Sequence, residues 1–67
     1  MIFTYEQISK LNDTELIVYN YIVKNVGLVL KMNIRELAAQ SHVSTATITR
    51  FCHKLDCDGF VEFKIEL

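Results

Sequence analysis

Asn33-Ile-Arg-Glu-Leu-Ala-Ala-Gln-Ser-His-Val-Ser-Thr-Ala-Thr-Ile-Thr-Arg-Phe-Cys-His-Lys-Leu55 reads as two short helices joined by a three-residue corner. Asn33 stands three residues before Glu36, so their side chains can each accept from the other's backbone amide and open a helix. Leu37 and Ala38 face inward, and the small Ala38 lets a second helix cross closely at a steep angle. Ser41-His42-Val43 breaks the periodicity, Ser44 is a good N-cap for a new helix, and so tight a corner needs one residue at positive φ. His42 is the expected occupant, because Asn, Asp and His tolerate that region better than other non-glycine residues. From Ser44 onward Ile48, Phe51, Cys52 and Leu55 recur at spacings of three and four, which is one face of a helix. The opposite face carries Thr45, Ala46, Thr49, Arg50, His53 and Lys54, with no acidic residue between Gln40 and Asp56. A locally positive helical face on a chain of net charge −1 suits phosphate contact, and the whole segment has the pattern of a helix-turn-helix.

The rest of the chain bounds what such a segment can belong to. Sixty-seven residues make one domain, 1–67, and 51% hydrophobic residues with no Pro exclude disorder and favour an all-α bundle. So small a body cannot hide all its apolar side chains, so some should be covered by another chain or domain. Asn12 with Glu15 repeats the reciprocal cap of Asn33 with Glu36 and opens a helix through about Asn25. Val18, Tyr21 and Ile22 suit its core face, while Leu16, Ile17 and Tyr19 meet either a leading helix or a second copy of the protein. That leading helix is expected from the weak amphipathic pattern of Ile2, Phe3, Ile8 and Leu11. Asn25 and Gly27 read as termination, with a short turn or helix starting at Val29 and Leu30.

The tail supports two readings. Val61, Phe63, Ile65 and Leu67 alternate with Glu62, Lys64 and Glu66 as in a strand, yet nothing else in the chain alternates to pair with it. A helix would instead put Phe60, Phe63 and Leu67 on one face, against the base of the second motif helix.

Cys52 and Cys57, with His53 and His42, match a zinc site only by count: a Cys-x4-Cys spacing across a helix end does not converge with them on a tetrahedron. Cys52 is expected half-buried, and both thiols reduced in a cytoplasmic protein. No apolar run approaches a membrane span, and the N-terminus lacks the basic start and apolar core of a signal peptide, so a soluble, untargeted chain is expected. No nucleophile with a base and orienting acid, glycine-rich phosphate loop or enclosed carboxylate pair is present, which argues against an enzyme.

Leu11-Asn-Asp-Thr-Glu15, Tyr21-Ile-Val-Lys-Asn25, Ile34-Arg-Glu-Leu-Ala38, Val43-Ser-Thr-Ala-Thr-Ile-Thr-Arg-Phe-Cys52, Lys54-Leu55 and Gly59-Phe-Val-Glu-Phe-Lys64 together resemble the N-terminal domain of RpiR-family bacterial transcriptional regulators. The match runs from about Leu11 to Leu67. The resemblance implies a small, homeodomain-like all-α bundle of about five helices, and it favours helix for the tail. It further implies a missing C-terminal sugar-isomerase-type domain that binds a phosphosugar effector and assembles a homo-oligomer, with its linker starting near Glu66-Leu67. Genes of sugar and amino-sugar use would be the regulated targets, double-stranded DNA the partner, and no cofactor would be needed in this domain. His42 and Asp56 stand where the family commonly has Gly, each costing up to about 1 to 2 kcal/mol if left-handed. Asp13 replaces a common Pro and keeps favourable charge at a helix start.

In helix-turn-helix geometry the outward residues of the second helix reach the groove. Thr45, Ala46, Thr49 and Arg50 are assigned to base or groove contact, with His53 as a further candidate. Arg50 can grip a guanine edge with two hydrogen bonds, worth roughly 1 to 3 kcal/mol of discrimination. Ser44 and Thr47 combine capping with phosphate contact, and Lys54 is a phosphate candidate. The rival function is a helical protein-interaction or dimerisation module that docks through the apolar surface of Leu16 to Val23 without touching DNA.

Overall fold

A computed structural model describes residues 3–67, so Ile2 of the expected leading helix lies outside the described residues. Among the described residues there are six helices and no strand: α1 (Tyr5–Ser9), α2 (Asp13–Lys24), α3 (Val26–Val29), α4 (Ile34–Ser41), α5 (Thr45–Lys54) and α6 (Phe60–Glu66). Reciprocal caps open three of them. Asn12 with Glu15 and Asn33 with Glu36 cap α2 and α4 as the sequence leads one to expect, and Thr4 with Gln7 adds an unforeseen third at α1.

The extra helix relative to the expected five is α3, which begins at Val26 rather than at Val29 and holds Gly27 inside it. The break falls instead at Asn25 (φ −136°, ψ 38°), whose side-chain amide donates to the Tyr21 carbonyl at 2.8 Å. That bond satisfies one of the carbonyls left open at the end of α2.

The tail is helical. Gly59 is extended ahead of it, Phe60 and Phe63 are buried on one face, and Val61 and Ile65 are 72% and 78% exposed. A strand would have put Val61, Phe63 and Ile65 on one side; burial follows the i, i+3 spacing because the two aromatic rings carry most of the apolar area. Phe63 stands at the centre of an aromatic cluster, stacked on Phe3 at 5.4 Å between centroids, edge-on to Phe51 at 5.5 Å and beside Phe60 at 6.3 Å.

Val18, Ile22, Val29, Leu37, Ala38, Ile48, Phe51, Cys52 and Leu55 form most of the rest of the buried core, with Leu11, Met32 and Cys57 at its margin. Each large aliphatic or aromatic side chain there contributes about 1.5–3 kcal/mol of transfer free energy. Cys52, expected half-buried, is fully buried, because it lies on the core face with Ile48 and Leu55 rather than at its margin. Leu16, Tyr19 and Tyr21 pack partly against this core, whereas Ile17 is 64% exposed.

The corner between α4 and α5 is the expected one. His42 is left-handed (φ 59°, ψ 40°), its amide donates to the Ala39 carbonyl at 3.3 Å and that of Val43 to the Ala38 carbonyl at 3.0 Å. The same paired arrangement closes α5, where Asp56 (φ 63°) donates to the His53 carbonyl and Cys57 to that of Cys52. Both ends of α5 are therefore set by L-residues in a region that glycine occupies without steric cost. His42→Gly is expected to raise the melting temperature: relief of about 1 kcal/mol of strain exceeds the entropy glycine adds to the unfolded chain. In a domain this small that is a shift of roughly 4–8 °C per kcal/mol, readable by thermal circular dichroism. A lowered temperature would mean that the imidazole itself supports the corner.

Candidate nucleic-acid interface

Helix α5 is held from behind and open in front. Ile48, Phe51 and Cys52 bury its inner face against α2, α4 and α6, while Ser44, Thr45, Ala46, Arg50 and His53 are exposed and Thr47, Thr49 and Lys54 partly so. All eight residues expected to face DNA thus lie on or immediately before one helix, with exposed surface. Their chemistry differs along its length.

At the start of α5 the Ser44 hydroxyl accepts from the Thr47 amide at 3.1 Å and lies 3.0 Å from the Thr47 hydroxyl. This cap leaves Thr45 and Ala46 projecting at the exposed first turn, where a groove-inserted helix presents its first contacts. One turn on, the Arg50 guanidinium donates to the Thr47 hydroxyl at 3.3 Å, and the Thr49 hydroxyl donates to the Thr45 carbonyl at 3.2 Å. Arg50 is exposed and touches a neutral partner there, so its charge stays available to a ligand.

The end of α5 is different. Nε2 of His53 lies 2.9 Å from the Asp58 carbonyl, which ties the ring to the loop after the helix. Lys54, expected as a phosphate contact, is engaged within the chain: its ammonium lies 2.7 Å from Oε1 of Glu15, a residue only 2% exposed. The same oxygen accepts the Asn12 amide at 2.9 Å, so one carboxylate atom serves both the α2 cap and the ion pair. Burial pushes the Glu15 carboxyl up, but the hydrogen bond from Lys54, that from the Asn12 amide and the charges of Lys54 and Arg50 outweigh it and leave it below its ordinary value. Sequence reasoning found Glu15 only as a cap. Nothing local marks a partner 39 positions away.

The charge distribution follows the same division. Residues 33–55 hold Arg35, Arg50 and Lys54 against Glu36, a net +2, whereas residues 56–67 hold Asp56, Asp58, Glu62 and Glu66 against Lys64, a net −3. The two cysteines belong to the core: burial first, and then Cys57, push the Cys52 thiol up to about 12, and burial with four nearby carboxylates raises Cys57. Neither forms a thiolate at neutral pH, and no His, Cys, Asp and Glu cluster among the described residues could hold a metal. No helix of the described residues is long and apolar enough to cross a membrane.

Comparison with known proteins adds an independent line. A family profile described as the helix-turn-helix domain of the rpiR family matches residues 5–67. An uncharacterized HTH-type transcriptional regulator of Caldanaerobacter subterraneus subsp. tengcongensis is 34% identical over 62 residues, 92% of this chain and 22% of that protein. Similar proteins of the same description occur in Clostridium perfringens, 36% identical over 58 residues covering 87% of this chain, and in Haemophilus influenzae, 39% identical over 46 residues covering 69%. The chain spans between 16% and 22% of the length of these relatives.

Proposed function

The chain belongs to the rpiR family of helix-turn-helix domains, the DNA-binding kind found in transcriptional regulators, and from that premise we propose that α5 enters the major groove of an operator. The observation that carries this is the exposed, acid-free outer face of α5, rigidly backed by the core and bearing Arg50 with its charge uncommitted. Thr45, Ala46, Thr49 and Arg50 contact bases or the groove wall, Ser44 and Thr47 approach a phosphate at the helix start, and His53 borders the contact. Lys54, placed by its ion pair, acts on the position of α5.

With so few free cations, one copy binds weakly, and a dimer on two half-sites restores affinity. Exposed Ile17, Val61 and Ile65 offer apolar surface for such assembly or for further polypeptide. A cytoplasmic regulator of sugar or amino-sugar genes, sensing a phosphosugar through residues outside this chain, is the reading that the family membership supports. The interaction-module reading, docking through Leu16 to Val23, keeps Ile17 and Val23 as exposed apolar residues, but it leaves the open face of α5 without a use.

Arg50→Ala is expected to weaken binding of a genomic operator fragment by about five- to a hundredfold, in line with losing one two-pronged base contact of about 1–3 kcal/mol. Fragment selection from genomic DNA followed by titration of both proteins tests it. Unchanged affinity in the variant, or a wild-type domain that selects no fragments and binds without salt dependence, would remove α5 from the account.

A further inference from the structure

The Glu15–Lys54 pair joins the first turn of α2 to the last turn of α5, and it lies on the edge of the proposed DNA face. Lys54 is the only lysine on α5, and it shares that helix with one arginine. Its side chain is 37% exposed, enough for a phosphate to reach it, yet its ammonium is turned inward to a carboxylate that is almost fully enclosed. That carboxylate cannot follow it outward: Oε1 is also held by the Asn12 amide as the reciprocal cap of α2. Exchanging the carboxylate for a phosphate would therefore strand a buried charge, which is costly when its partner leaves.

We infer that Glu15 is a positioning residue for DNA binding: it acts as an internal counter-ion that withholds Lys54 from the phosphate backbone and fixes the end of α5 against α2. This rests on the proposed entry of α5 into the groove. The pair reduces the electrostatic, sequence-independent part of binding while keeping the helix in place, so a larger share of affinity comes from the base-reading residues at the start and middle of α5.

The salt dependence of binding separates this role from a merely structural one. Each phosphate neutralised by the protein adds about 0.9 to the magnitude of the slope of log K against log salt on B-form DNA. The whole chain is titrated with a short mixed-sequence duplex at several salt concentrations. Glu15→Gln keeps the shape and the cap to Asn12 but removes the charge, so Lys54 is released and the slope steepens by about 0.9. Lys54→Gln leaves the wild-type slope unchanged. A shallower slope in Lys54→Gln, or an unchanged one in folded Glu15→Gln, overturns the inference while leaving groove binding intact. Wild-type protein that shows no salt-dependent binding overturns the groove reading and this one together.

Should either variant fail to fold, the unaltered protein still decides. The Lys54 ammonium signal, followed by nitrogen-detected magnetic resonance, keeps its position when duplex is added if the ion pair persists. A shift that saturates with DNA shows the ammonium moving to phosphate and overturns the inference.

Discussion

Phe63→Ala is expected to cost the domain a third or more of its stability, about 3–5 kcal/mol. A chain of 67 residues has a total stability of about 3–10 kcal/mol at 0.05–0.15 kcal/mol per residue, and truncating a buried Phe costs about 3–5 kcal/mol. Phe63 is fully buried and is the one ring in contact with three others, drawn from the N-terminal segment, α5 and α6 itself. Its loss removes transfer free energy and edge-to-face contact together, and leaves a cavity where α5 meets α6. Urea titration followed by circular dichroism should show the midpoint fall by more than about 1 M. Val61→Ala, one turn-face away and 72% exposed, should stay within about 0.5 kcal/mol of wild type. A loss under about 1 kcal/mol for Phe63→Ala would show the core re-forming without its central ring.

Lys54→Met is expected to destabilise the domain by about 1–3 kcal/mol at neutral pH, below the 3–5 kcal/mol of a fully buried pair because the ammonium is partly solvated. Its pH dependence follows from Glu15. In the wild type that carboxyl is lowered, so the stability it adds is present above its unfolded value of 4.5 and is lost as pH falls through the lower folded value. Without Lys54 burial dominates and the folded pKa rises; the penalty is then present at neutral pH and is relieved as acid protonates the group. The difference between the two proteins should therefore shrink on going from pH 7 to below 4.5, measured by denaturant titration at each pH. A difference constant across that range would place the cost in lost packing of the lysine stem rather than in the charge.

Much of the fold was legible where the information is local. Asn12 and Asn33 marked helix starts because a cap involves residues three apart, and the corner at His42 followed from a broken periodicity with little room to turn. Ile48, Phe51, Cys52 and Leu55 announced the inner face of α5 by spacing alone, and that left the eight candidate residues on its other side. The tail was ambiguous for a physical reason: Val61 to Leu67 alternates in sequence, and the decision lies in which neighbour Phe60 and Phe63 can reach across the chain. The cap at Thr4 with Gln7 obeys the same local rule as the other two and could have been read from its spacing. Glu15 with Lys54 could not. Its two halves are far apart in sequence, and each has a sufficient local explanation, one as a cap and the other as a surface cation.

The stacking of Phe3 on Phe63 ties the N-terminal segment to α6, and the edge-on contact of Phe63 with Phe51 ties both to the buried side of α5. Gln7 reinforces the arrangement, donating from α1 to the Asp56 carboxylate at 2.8 Å across the loop that precedes α6. The N-terminal segment and α6 are thus tied to each other and to the loop after α5, so shortening the chain to a start beyond Gln7 would uncover Phe63 and free Asp56 together.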